Sequence, residues 1–217
     1  DLERSMHNLV NHIEEPRVGQ SYPNYYAALL AGRFVKVVLS GAGGDELFGG
    51  YPWRYFSSFN SGSYEDYIDS YYLYWQRLIP NKRLHKLFSP ISSEIRGTST
   101  RDIFSNVFPE DLRSPKNRDD FINSSLYFEA KTFLHGLLVV EDKLSMAHGL
   151  ETRVPFLDND LVDFSMKCPV ELKIRDTDDA YRIDENIAAN KTEIYFEKTN
   201  NGKLILRSAM ESHLPKE

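Results

Sequence analysis

The chain has 217 residues, 41% of them hydrophobic and 27% charged, which is enough for one substantial domain or two small ones and excludes wholesale disorder. Its net charge of −6, from 26 basic and 32 acidic side chains, argues against a surface built to coat nucleic acid. No apolar run reaches the ~18–20 residues of a membrane helix, and the single cysteine, Cys168, cannot form an internal disulfide, so a cytoplasmic setting is expected.

The chain opens on Asp1 rather than Met, and Leu2, Met6, Leu9, Val10 and Ile13 already recur at helical spacing. It stops directly after another helical stretch, at Leu214-Pro215-Lys216-Glu217, and so reads as a piece of something longer. A helix is expected over 1–15. Glu14-Glu15-Pro16 ends it, because proline lacks a backbone donor and biases the residue before it away from helix. A loop to Pro23 and a helix over 24–33 follow, with Gly32 at the C-terminal stop. Val35-Lys36-Val37-Val38-Leu39 is a β-branched run of the kind found in a buried parallel strand. Ser40-Gly41-Ala42-Gly43-Gly44 breaks the run, and Asp45-Glu46-Leu47-Phe48 opens a helix with acids in its first turn.

Residues 64–95 read as helical, with Tyr64, Tyr67, Tyr71, Tyr72, Tyr74 and Trp75 serving helix packing rather than a ligand platform. Residues 96–118 are polar and turn-rich, an expected exposed connection. Helices are expected at 119–134 and 136–148, the second presenting Leu137, Val140, Leu144 and Ala147 on one face. Pro155 ends that region, and Leu161–Lys167 reads as another helix. Residues 175–201 form a variable excursion rich in Asp, Asn, Lys and Thr, with a short hairpin expected around Thr192–Lys198. Lys203–His213 reads as a final helix.

Two segments carry chemistry. In the first, residues 37–51, a strand runs through a glycine-rich turn into a helix, which brings backbone N–H groups to a sheet edge. Asp45 and Glu46 would repel a bare phosphate, but a Mg²⁺ between carboxylate and phosphate reconciles them. The plain reading is an Asp45 helix cap beside a tight turn. In the second, residues 141–158, Glu151, Arg153 and Asp158 are set among apolar residues. They form either a structural ion-pair cluster around Pro155 or the lining of a cleft for a charged amino acid. The six histidines show no metal-ligand spacing, and Cys168 has no obvious base beside it.

With both segments in view, the sequence resembles the synthetase domain of the glutamine-dependent asparagine synthetase family. The family's Leu-Ser-Gly-x-Gly-x-Asp-Glu-x-Phe-Gly-Gly-Tyr stretch is matched at 39–51, and its Asp-Arg/Lys-x-Ser-Met-Ala…Leu-Glu-x-Arg-Val-Pro-Phe-Leu-Asp stretch at 142–158. The likeness runs from about residue 5 to 215 and is weakest at 58–118 and 176–201. It implies a helix-rich α/β fold: part of an adenine-nucleotide α-hydrolase-like (PP-loop ATP pyrophosphatase) domain, with short parallel strands and many helices. Residues 1–217 would be a partial synthetase domain.

The resemblance also implies a mechanism. ATP activates the aspartate side chain as an acyl-adenylate, and ammonia from a separate glutaminase domain outside this chain attacks it. Ser40, Gly41 and Gly43 would contact the nucleotide, and Asp45 would hold Mg²⁺ and pyrophosphate. Glu46 would lie near the reacting groups, while Asp142, Glu151 and Arg153 would serve the amino-acid side. Neither nucleic acid nor membrane is an expected partner, and a homodimer of the full-length protein is compatible with the family. Three departures stand out. Ala42 occupies a position that is often acidic in the family. The family's upstream Ser-Gly-Gly-x-Asp-Ser loop has no counterpart in residues 1–217, and its lysine in a Lys-Gln-Gly-Phe-like stretch falls beyond Glu217. The chain alone is therefore expected to be inactive. The alternatives are a related amide-forming cyclase or ligase with another substrate, and a non-catalytic relative that binds nucleotide.

Overall fold

The computed structural model describes residues 2–15, 21–55, 58, 61–76, 79, 81–95, 97–175 and 201–214. In chain order the main elements are α1 (Leu2–Ile13), α2 (Ser21–Ala31), β1 (Val37–Leu39), α3 (Gly44–Phe48), α4 (Tyr64–Trp75), α5 (Asn81–Leu87), α6 (Ser92–Ile95) and α7 (Thr100–Ser105). There follow α8 (Arg118–Phe128), a π-helical turn (Glu129–Phe133), α9 (Leu134–Met146), β2 (Glu151–Arg153), α10 (Asn159–Lys167) and α11 (Leu204–Met210). The described residues are thus helix-rich with one two-stranded parallel sheet, β1 beside β2. None of their helices is long and apolar enough to cross a membrane. They divide into two compact units, Asp1–Leu47 with Glu129–Cys168, and Phe48–Phe128 with Pro169–Glu217.

In the first unit α9 packs on α1 and α2. Leu9, Ile13, Tyr25, Val140 and Leu144 form its apolar cluster; of the helically spaced apolar residues near the start of the chain Leu9 and Ile13 enter it, while Leu2, Met6 and Val10 stay exposed. α2 begins at Ser21 rather than after Pro23. Proline is tolerated in a first turn, where its missing N–H has no helical partner anyway. Gly32 is required by close packing: a Cβ there would lie 3.0 Å from the carbonyl oxygen of His148. The expected buried strand is corrected in one respect. β1 is parallel, but Val37 is 40% and Leu39 75% exposed. Parallel strands are buried only where layers cover both faces, and the described residues leave the face of Val37 and Leu39 open while Val38, between them, is partly covered.

The second unit has an aromatic core. Tyr67, Tyr71, Phe108 and Phe128 are buried with Phe104 and Phe121, so the tyrosine stripe packs helices as expected. Each buried hydroxyl needs a partner. That of Tyr67 shares a 2.8 Å hydrogen bond with the Ser125 hydroxyl, and that of Tyr72 lies 2.6 Å from Thr100 Oγ1. The exposed connection expected at 96–118 is corrected here. Ser99 caps α7 by accepting from the Asp102 N–H. α7 itself carries Phe104 into the core, and the turn that follows carries Phe108. Two aromatics in a polar stretch suffice to fold it inward, because each buries a large apolar area.

The described residues on either side of 176–200 close on each other in the second unit. The Arg175 N–H donates to the Asn201 carbonyl at 2.8 Å, and the Leu204 N–H to that of Lys173 at 3.1 Å. The Lys203 N–H reaches the Phe48 carbonyl at 3.1 Å. Gly202 is packed so tightly that a Cβ would stand 2.3 Å from the Gly49 carbonyl oxygen. The hairpin expected at Thr192–Lys198 lies outside the described residues.

Phe108→Ala should destabilise the protein by about 3–5 kcal/mol in denaturant unfolding. Phe34→Ser, at a 79% exposed position, should stay within about 0.5 kcal/mol. His148 supplies a pH test in the first unit. Its ring stands edge-on to Tyr25, centroids 4.6 Å apart, and its shielded Nε2 has no hydrogen-bond partner among the described residues. Burial, then the charge of His12, pushes the imidazole below its ordinary value. The unfolded chain therefore takes up this proton first as pH falls. The stability contributed is present above about pH 6.5 and lost below it. His148→Gln should flatten the fall in melting temperature between about pH 7 and 5.5.

Candidate functional site

The two chemical segments meet in the first unit. β1 and β2 run parallel with Val37 opposite Glu151, Val38 opposite Thr152 and Leu39 opposite Arg153. The Glu151 N–H donates to the Lys36 carbonyl at 2.9 Å, and the Ser40 N–H to that of Arg153 at 2.8 Å. Loops 40–44 and 154–158 therefore leave the same carboxyl end of the sheet side by side, the place where open α/β sheets bind ligands. A strand at 151–153 is not part of the sequence reading. Glu-Thr-Arg has weak strand propensity, and a distant partner imposes its conformation.

The glycine loop is a compact turn. The Ala42 N–H donates to Ser40 Oγ at 3.2 Å, and the Gly44 N–H to the Gly41 carbonyl at 3.3 Å. The Ser40 hydroxyl keeps its own proton for an outward bond. The glycines divide the work. Gly41 is exposed, and a Cβ built there meets nothing within 4 Å. Gly43 has φ +94°, and its Cβ position is only 2.5 Å from Leu157 Cδ2. That of Gly44 lies 3.4 Å from the Phe156 ring. Only Gly41 leaves room for a ligand to approach the main chain; Gly43 and Gly44 are glycines because the turn after β2 packs on them.

α3 starts at Gly44 and sets both acids in its first turn. The fold separates them: Asp45 is half-buried, while Glu46 is turned inward at 2% exposure. On β2, Arg153 Nε donates to Glu151 Oε1 at 2.8 Å. That carboxylate holds the guanidinium above its ordinary value. Both side chains are more than half exposed, 63% and 56%, and such a pair adds little to stability. Asp142 is exposed and carried on α9 rather than on the sheet. Asp158 does not join the Glu151–Arg153 pair as a third partner. It caps α10, accepting from the N–H groups of Asp160 at 3.0 Å and Leu161 at 3.4 Å.

The sequence reading does not assign Lys143. Its Nζ donates to the Ile13 carbonyl at 2.8 Å and to Glu14 Oε2 at 2.9 Å, tying α9 to the end of α1. The ammonium holds the Glu14 carboxyl below the usual carboxylate range. No local signal marks this pair, whose members lie 129 positions apart. Among the described residues no group of three or more His, Cys, Asp or Glu is placed to hold a metal ion. Mg²⁺ takes one or two carboxylates and completes its shell with water and phosphate, so a single half-buried carboxylate such as Asp45, in the first turn of α3, is compatible with that pattern.

All of residues 1–217 match the asparagine synthase family. The chain belongs to this family. It is 29% identical over 196 residues to asparagine synthetase [glutamine-hydrolyzing] 1 of Bacillus subtilis, a match covering 77% of the chain and 30% of that relative. It is 28% identical over 225 residues to asparagine synthetase [glutamine-hydrolyzing] 3 of the same organism, covering 97% and 31%. A putative asparagine synthetase of Methanocaldococcus jannaschii is 24% identical over 216 residues, covering 95% and 30%. The chain thus spans about 30% of the length of the curated relatives it matches. No solved structure matches it.

Gly43→Ala should destabilise the protein by about 1–3 kcal/mol from backbone strain alone, with the Leu157 contact adding to it. Gly41→Ala should unfold within about 0.5 kcal/mol of the parent in the same titration.

Proposed function

We propose that residues 1–217 are the part of an ATP-dependent carbon–nitrogen ligase that adenylates the side-chain carboxyl of aspartate for attack by ammonia, giving asparagine, AMP and pyrophosphate. The observation that carries the reading is the shared carboxyl end of β1 and β2. It sets an open glycine loop with an acid beside an exposed carboxylate–guanidinium pair. Such an end can hold a nucleotide next to a small zwitterion.

In this reading Ser40 and Gly41 bind the nucleotide, through the hydroxyl and through main chain that no Cβ obstructs. Gly43 shapes the loop. Asp45 holds Mg²⁺, which when bound neutralises charge on the leaving pyrophosphate. Glu151 and Arg153 present one charge of each sign to the amino acid, and Asp142 supports that side from α9. Glu46, buried in the first turn of α3, acts by fixing that turn next to the reacting groups. Ammonia comes from a glutaminase domain outside this chain, the activity that the relatives' names record. A cytoplasmic location belongs to the same reading.

Ala42 favours a second reading. A methyl group can neither take a proton nor order an ammonium ion, so a different amide acceptor, or binding of nucleotide without turnover, would suit this loop better than its usual acidic form. Pyrophosphate exchange into ATP by the intact protein separates the readings. Exchange that depends on aspartate and Mg²⁺ supports the first, and Asp45→Asn should lower it by about 100-fold. Exchange that appears only with another carboxylic acid supports the related ligase, and Mg²⁺–ATP binding with no exchange under any acceptor supports the non-catalytic relative. Residues 1–217 alone should form no asparagine.

A further inference from the structure

We infer that Leu157 is a positioning residue for the glycine loop: it acts through Gly43, holding the turn in the shape that leaves Gly41 open. The functional half of this inference rests on the nucleotide reading of the loop; the structural half does not.

Gly43 adopts φ +94°, which glycine reaches about as readily as a negative φ and which therefore does not by itself fix the loop in one shape. Within the loop, the Gly44 N–H to Gly41 carbonyl bond at 3.3 Å and the Ala42 N–H to Ser40 Oγ bond at 3.2 Å are both long, while the Gly43 carbonyl accepts from the Leu47 N–H at 3.0 Å. What stands against the back of the turn is Leu157. Its Cδ2 and Cγ come within 2.5 and 3.0 Å of where a Gly43 Cβ would be. The leucine thus occupies the space that any other residue at 43 would fill, and Phe156 flanks Gly44 in the same way.

Leu157 is itself firmly held. It ends a 3₁₀ turn, Pro155–Leu157, in which its N–H donates to the Val154 carbonyl at 2.9 Å. The next residue, Asp158, caps α10. Behind the turn, β2 is anchored to β1, and the Ser40 N–H to Arg153 carbonyl bond joins the very residues from which the two loops depart. The second segment is therefore a buttress whose tip is Leu157, and the shape of one loop is set by a side chain of the other. Packed side chains transmit such shape rigidly.

Hydrogen exchange and calorimetry on the intact protein test this together. Without nucleotide, Leu157→Ala should speed exchange of the Gly44 and Leu47 amides by about tenfold. The Ala147 amide at the end of α9 should not change, and the volume-conserving Leu157→Met should restore protection. The dissociation constant for Mg²⁺–ATP should rise about tenfold in Leu157→Ala, recover in Leu157→Met, and leave that for aspartate within about twofold. Loop amides that do not respond, or exchange raised uniformly across both loop and α9, overturn the positioning role. A parent protein that binds no Mg²⁺–ATP defeats the nucleotide reading, and the exchange result still decides whether Leu157 shapes the loop.

Discussion

The parallel pairing of β1 with β2 is the constraint on which the site depends. Three residues on each strand are enough, because the bonds at its ends lie at the bases of the two chemical segments. Without it the glycine loop would be a turn after an exposed strand, and Glu151–Arg153 a surface ion pair. With it, the two leave one end of a sheet in fixed register. A shift of one residue would turn Glu151 and Arg153 to the other face.

The glycine-rich sequence after β1 suggests a loop open along its length to a ligand. The structure divides that loop into a face toward solvent, at Gly41, and a back packed on Phe156 and Leu157. Glycine answers two different demands within four residues. The acids divide in the same way, with Asp45 partly accessible and Glu46 enclosed. Adjacent residues on a short helix point about 100° apart, so neighbours in sequence need not share a chemical role.

What was legible in the sequence follows from what is local. The helical periods of α1 and α9, the glycine–acid turn and the tyrosine stripe of α4 all appear as patterns within one element. What was not legible depends on partners far away in the chain. β2 is a strand because Val37–Leu39 lies beside it. Lys143 is committed to Ile13 and Glu14. Phe104 and Phe108 are drawn inward by aromatics of α4 and α8. The exposure of Val37 and Leu39 on β1 is not visible in their composition, because burial belongs to whatever covers a strand. Both chemical segments were visible as motifs, but not which of the glycines is open and which is packed, since that depends on where Phe156 and Leu157 lie.

The bond between Arg175 and Asn201 has a consequence for chain length. These two residues are hydrogen-bonded, so the polypeptide that leaves at one returns at the other. Closing a longer flexible loop on a fixed base costs little more than closing a short one, about 0.6 kcal/mol for each doubling. Residues added between the two ends would therefore leave the clasp at Gly49 and Gly202 in place at small entropic cost.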